Sequence, residues 1–164
     1  MKKSIFLSLT TCIIFFSCAS TPKIDSYLLE SSVQQDFFRA TTLKGANLDA
    51  EMDFTVRTEK NQITKIVCNF SLLNGKKTYS QLDQAFFTLD NGEKIPLTDI
   101  TTLFIDRNKN VCRFSSLISP ENFLLLIQQK KPIFNAIVNS VSYEFKPTPA
   151  FMTQLRGAAT QFID

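Results

Sequence analysis

The chain has 164 residues, 44% of them hydrophobic and 20% charged, with a net charge of +3 and no histidine. That length supplies one domain with a real core, and sixteen phenylalanines against four glycines and six prolines exclude a disordered chain. The missing histidine removes His-based triads, imidazole bases and zinc sites that need an imidazole ligand.

Lys2 and Lys3 precede an uncharged apolar run from Ile5 to Phe16. About a dozen residues is too short to span a ~30 Å hydrocarbon core, so the run reads as the apolar part of an export signal. It ends in Phe15-Phe16-Ser17-Cys18-Ala19-Ser20. This stretch resembles the lipobox of bacterial lipoproteins, where small residues precede a cysteine that is diacylated and becomes the new N-terminus. Phe15 stands where the motif usually has Leu, and Phe16 where it has a small residue. The resemblance implies a signal peptide over residues 1–17 and palmitate-type acyl chains on Cys18. It also implies a protein anchored in the bacterial cell envelope, on the periplasmic or the surface side. Two other readings stay open: a secretory peptide cut after Ala19, and an uncleaved anchor. Cys12, behind Thr10-Thr11, fits the motif less well.

Removing residues 1–17 leaves sixteen basic against fifteen acidic side chains. A net of +1 attracts neither nucleic acid nor an anionic bilayer. Lys76-Lys77 and Lys130-Lys131 are pairs set in water at a turn or a helix end. Residues 18–26 read as a polar tether, and 27–164 as a single β-rich domain. Tyr27 to Leu43, with Leu28, Leu29, Val33, Phe37 and Phe38 at roughly helical spacing, reads as a short helix or irregular segment.

From residue 48 the period becomes two. Met52, Phe54 and Val56 alternate with polar residues, as do Ile66, Cys68, Phe70 and Leu72. For both apolar sets to share one face of a hairpin, paired residue numbers must sum to an even number near 120. The choice that pairs Phe54 with Ile66 and Met52 with Cys68 leaves Glu59-Lys60-Asn61 as the loop. Asn74-Gly75 and Asn91-Gly92 are further turn signals, and Pro96 marks an edge strand. Ile100–Ile105 and Val111–Ile118 form another pair around the polar loop Asp106–Asn110. Ser119-Pro120-Glu121 starts a helix with Leu124, Ile127 and Phe123 inward, ended by Lys130-Lys131-Pro132. Val138–Phe145 reads as one strand, and Thr148-Pro149 opens a helix with the stripe Phe151, Leu155, Ala159 and Phe162. The predicted class is mainly β (α+β): an antiparallel sandwich or open sheet, one helix before the last strand and a packed C-terminal helix. This order over Val111–Ile163 resembles the end of small exported β-sandwich domains of uncharacterised function in bacterial lipoproteins. That resemblance implies no catalytic residue.

The chemistry-bearing patterns are sparse. Cys68 and Cys112 each sit two residues before a phenylalanine on an apolar strand face. An exported pair permits a disulfide, and two buried thiols acting as small hydrophobes are the alternative. Asp49, Glu51 and Asp53 project to one side of a strand, as a solvated face does more often than a calcium site. Asp106-Arg107-Asn108-Lys109-Asn110 opens like a calcium loop, but Val111 and Leu117 occupy the glycine and glutamate positions. Ser20-Thr21-Pro22-Lys23 fits Ser-x-x-Lys only formally, and no catalytic residue, metal site or cofactor is assigned. Phe37-Phe38 and Phe86-Phe87 are adjacent pairs, so on a strand one member of each points away from the core, a possible contact surface. The expected function is that of a lipid-anchored envelope protein with a non-catalytic binding or structural domain and an envelope protein partner. Carriage of a small apolar ligand is the alternative.

Overall fold

The structure, a computed structural model, describes residues 24–30, 32–73 and 82–163. The strands are β1 (Ile24–Glu30), β2 (Val33–Gly45), β3 (Asp49–Glu59), β4 (Gln62–Leu73), β5 (Gln84–Thr88), β6 (Lys94–Pro96), β7 (Thr98–Asp106) and β8 (Val111–Ile118). Helix α1 (Pro120–Ile127), β9 (Ile133–Val138), β10 (Val141–Pro147) and α2 (Pro149–Phe162) complete the chain. One antiparallel sheet runs β6-β5-β9-β10-β2-β3-β4-β8-β7, with β1 added to β2. The mainly β class, with one helix ahead of the last strands and another at the C-terminal end, is the one the composition and periodicity predict.

The dry face of this sheet carries Phe38, Phe54, Phe70, Phe87, Phe114, Phe134 and Phe145, all fully buried. Phe70 on β4 and Phe134 on β9 have ring centroids 5.0 Å apart. Four strand spacings separate β4 from β9 in the sheet order, about 19 Å if the sheet were flat. The sheet therefore curls until its two arms face each other, which gives sandwich-like packing from one continuous sheet. Phe123 of α1 and Phe151 of α2 enter between the arms, against Phe54 at 5.5 and 6.4 Å.

Strand β2 makes the curl. One of its edges is shared: Val33–Phe38 pairs with β1, while Leu43–Gly45 pairs with β10. Between those stretches a bulge also interrupts the pairing of β2 with β3 on its other edge, and α2 supplies hydrogen-bond partners to this part of β2. Gln154, itself buried, donates from Nε2 to the Arg39 carbonyl at 2.7 Å and accepts from Thr41 Oγ1 at 2.9 Å. Thr148 caps α2 by accepting from the Phe151 N–H and donates its hydroxyl to the Thr42 carbonyl at 2.6 Å.

Four sequence expectations change. Tyr27–Leu43 is two strands, not a helix, and β1 begins at Ile24, inside the stretch that reads as tether. Bulges after Leu28 and Phe38 break the alternation and imitate helical spacing. In the β3–β4 hairpin, Phe54 faces Cys68 and Met52 faces Phe70. The turn is Lys60-Asn61, both left-handed (φ 50° and 63°), with Glu59 paired to Gln62. Thr64 is then squeezed out as a bulge, which restores the even sum and keeps both apolar sets on one face. Val138–Phe145 is cut by a second left-handed pair, Asn139-Ser140, into β9 and β10. In α1 the residue buried with Phe123 and Ile127 is Leu126 rather than Leu124, and in α2 Gln154 and Ala158 join Phe151 and Leu155.

Candidate functional site

Cys18, Cys12, residues 1–17, Ser20–Lys23, the Asn74-Gly75 turn and Lys76-Lys77 lie outside the described residues. Cys68 and Cys112 face the core from adjacent strands, but in the ladder Cys68 pairs with Ser116 and Cys112 with Leu72. Four residues along a strand is about 13 Å, well past the ~7 Å Cα limit for a bridge. The disulfide expectation is corrected: both are buried thiols. Burial and the nearby Asp53 charge push the Cys68 thiol far above its ordinary range, against smaller opposing effects of Ser116 and Arg113.

The carboxylate row on β3 is divided among separate partners. Lys44 Nζ reaches Asp49 at 2.5 Å, while Asp53 accepts from Asn69 Nδ2 at 2.8 Å and pairs with Arg113, which also donates to Ser71. This polar network crosses β3, β4 and β8 on the outer face. Asp106 Oδ1 accepts the N–H groups of Asn108 and Lys109, so the calcium-like opening is a local turn. A different acid is the buried one: Asp36, on β2, accepts from Ser26 Oγ at 2.5 Å and from Gln34 Nε2 at 2.9 Å.

The phenylalanine pairs split as strand geometry requires. Phe38 and Phe87 are in the core, while Phe37 and Phe86 are half-buried on the outer side. Lys94 Nζ lies 4.8 Å over the Phe86 ring, an exposed cation–π contact. Phe37 meets the edge of Tyr27 at 5.5 Å. These two, with Asp25, Leu28, Leu29 and Gln35, line an open groove of about 600 Å³ on the β1–β2 hairpin. Leu28 is 72% exposed. The Arg39 guanidinium forks onto Asp25 at 2.9 and 3.2 Å, and this hydrogen-bonded pair raises the Arg39 pKa further.

A second apolar surface lies at the end of the other arm. Among the described residues, strand β7 pairs only with β8, and Leu103, Phe104 and Ile105 are all exposed on it, Phe104 by 50%. Bulges between Thr98 and Thr101 and between Thr102 and Phe104 interrupt its ladder. No family model, no curated protein and no solved structure matches this chain. The two surfaces are consequently defined by their own chemistry. Each offers consecutive large apolar side chains on an edge strand, the arrangement that strand-addition and edge-docking partners use. Of these surfaces the sequence marked only Phe37, because Tyr27–Leu29 reads as part of a short helix or irregular segment and Leu103–Ile105 as part of the Ile100–Ile105 strand. Three consecutive apolar residues in a strand are themselves the signal, since at least one must leave the core. Among the described residues, no helix is long and apolar enough to cross a membrane.

Proposed function

We infer that the chain is a lipid-anchored bacterial envelope protein whose β-rich domain binds an envelope protein partner through an exposed strand edge. The observation that carries the binding role is Leu103-Phe104-Ile105, three exposed apolar side chains in succession on β7. Isolated exposed apolar residues are ordinary, whereas a contiguous set on a sheet edge is an aggregation hazard unless something covers it. The two bulges on β7 discourage indiscriminate pairing and leave recognition to the side chains. The anchor is carried by the lipobox-like Phe15-Phe16-Ser17-Cys18.

The space that a carried apolar ligand would need, between the arms and the helices, holds packed rings: Phe87 tilted against Phe134 at 5.4 Å and Phe134 stacked on Phe145 at 5.6 Å. This packing supports a binding surface over an internal carrier site.

Two measurements test the two halves. Intact mass of the protein from its native membrane is expected to equal residues 18–164 plus acyl chains; a mass starting at Ser20 without lipid removes the anchor. A photo-crosslinking phenylalanine at position 104, used in intact envelopes, is expected to give one discrete adduct, with none from position 60. Absence of an adduct from position 104 would sink the edge-binding role.

A further inference from the structure

A groove of about 590 Å³ opens between the α1–β9 connection, the end of β10 and the first turns of α2. Its walls carry four cations from three elements of the chain: Lys130, Lys131, Lys146 and Arg156. Its floor is apolar, formed by Ile133, Pro147, Pro149 and Met152. Among the described residues, none of the four cations has a carboxylate within 4.0 Å. Asp90, which approaches this end, places its two oxygens on the backbone N–H groups of Lys130 and Lys131. Lys146 stands directly opposite Lys44 in the β10–β2 ladder, an unfavourable like-charge pair, and Asp49 neutralises only Lys44. A nearly balanced chain thus concentrates uncompensated positive charge around one apolar-floored groove. That combination is complementary to an anionic head joined to hydrocarbon.

The position of the groove says which anion reaches it. Strand β1 runs antiparallel to β2, from Phe38 toward Val33, so its N-terminal end is the one nearer Leu43, Pro147 and Thr148. Six Cα steps join Cys18 to Ile24 and span at most about 20 Å. With Cys18 acylated, the bilayer surface lies within that reach of Ile24, and about 16 Å of β2 edge separates Ile24 from the β10 junction. We propose that this groove binds the headgroup of an anionic phospholipid in the anchoring membrane, with glycerol and first methylenes on the Met152–Pro149 floor. The proposal rests on the lipid-anchor reading and adds to it an orientation of the domain on the bilayer.

The test uses the full chain as its cells export it, purified in detergent and examined by native mass spectrometry. Titration compares short-chain phosphatidylglycerol with short-chain phosphatidylcholine. One phosphatidylglycerol is expected to be retained at least about tenfold more tightly than phosphatidylcholine, because the cations attract a headgroup with net negative charge. Lys146→Glu with Arg156→Glu is expected to abolish that preference, while Lys60→Glu with Lys65→Glu, on the β3–β4 hairpin, leaves it intact. Unchanged circular dichroism confirms that both double variants fold; for a misfolded groove variant, Lys146→Gln with Arg156→Gln is substituted, with the same expected loss. Equal retention of the two lipids, or a preference that survives the groove substitutions, overturns the proposal. So does displacement by equimolar inorganic phosphate, or tighter binding of an acidic peptide than of phosphatidylglycerol. The same spectra report the acyl chains on Cys18, so loss of the anchor and loss of headgroup selectivity are read separately.

Discussion

At the scale of single residues, the buried polar groups tell more than the exposed ones. Cys68 is held as a neutral thiol by burial first and by the Asp53 charge second. In the unfolded chain a cysteine loses its proton near pH 8.5. The folded state binds the proton more tightly, so this group's stabilising effect is complete below that pH and is lost as pH rises above it. Unfolding free energy from urea titrations is therefore expected to fall by about 1.4 kcal/mol per pH unit above pH 8.5, and Cys68→Ala should flatten the decline. An identical slope in the variant would remove the assignment. Asp36 is a second buried polar residue, with Ser26 Oγ as its closest donor. Ser26→Ala deletes that donor while leaving the carboxylate buried, and is expected to cost about 1–3 kcal/mol by thermal or urea unfolding. No loss would mean that Ser26 belongs to a loose tether, as sequence alone suggests, and does not fasten β1 to the domain. Asp36 was not legible as a buried polar site in the sequence, because nothing local distinguishes it from a solvent-facing acid. The phenylalanine pairs were legible, since strand geometry forces one member of each outward.

At the scale of elements, what could be read depended on whether the signal was local. Both helix starts were visible because a capping hydroxyl followed by proline is a contiguous signature, and Ser119 and Thr148 both cap as expected. The alternating strands from Met52 to Leu72 and from Val111 to Ile118 were visible for the same reason. Hairpins turned by Lys60-Asn61 and Asn139-Ser140 were misjudged, because neither pair carries the glycine that usually marks two left-handed residues. The division of β2 between β1 and β10 depends on Gln154, 113 residues along the chain from Thr41, and no local pattern announces it. Gln154→Leu retains the volume but leaves the Arg39 carbonyl without its side-chain donor at the interruption of the ladder. A loss of about 1–3 kcal/mol is expected, together with faster amide exchange in Ile24–Leu28 than elsewhere in the sheet. Uniform exchange across β1 and β3 in the variant would show that α2 does not pin this edge.

At the scale of the whole molecule, a single sheet that curls on itself keeps free edges that a closed barrel would abolish. Each free edge is treated differently. Strand β6 is three residues long and carries Pro96, which blunts it. Strand β7 is nine residues long and almost wholly exposed, and it keeps Leu103, Phe104 and Ile105 in water despite two bulges. These side chains contribute little to the core, so replacing them should separate folding from binding. Leu103→Lys with Phe104→Lys is expected to change unfolding free energy by no more than about 0.5 kcal/mol, as exposed substitutions usually do. The same double variant should abolish co-purification of the partner crosslinked from the edge, because two charges would have to be desolvated on docking. Destabilisation well beyond that range would mean that β7 is part of the core, and an undiminished complex would move the docking surface to the Tyr27–Leu29 groove on β1.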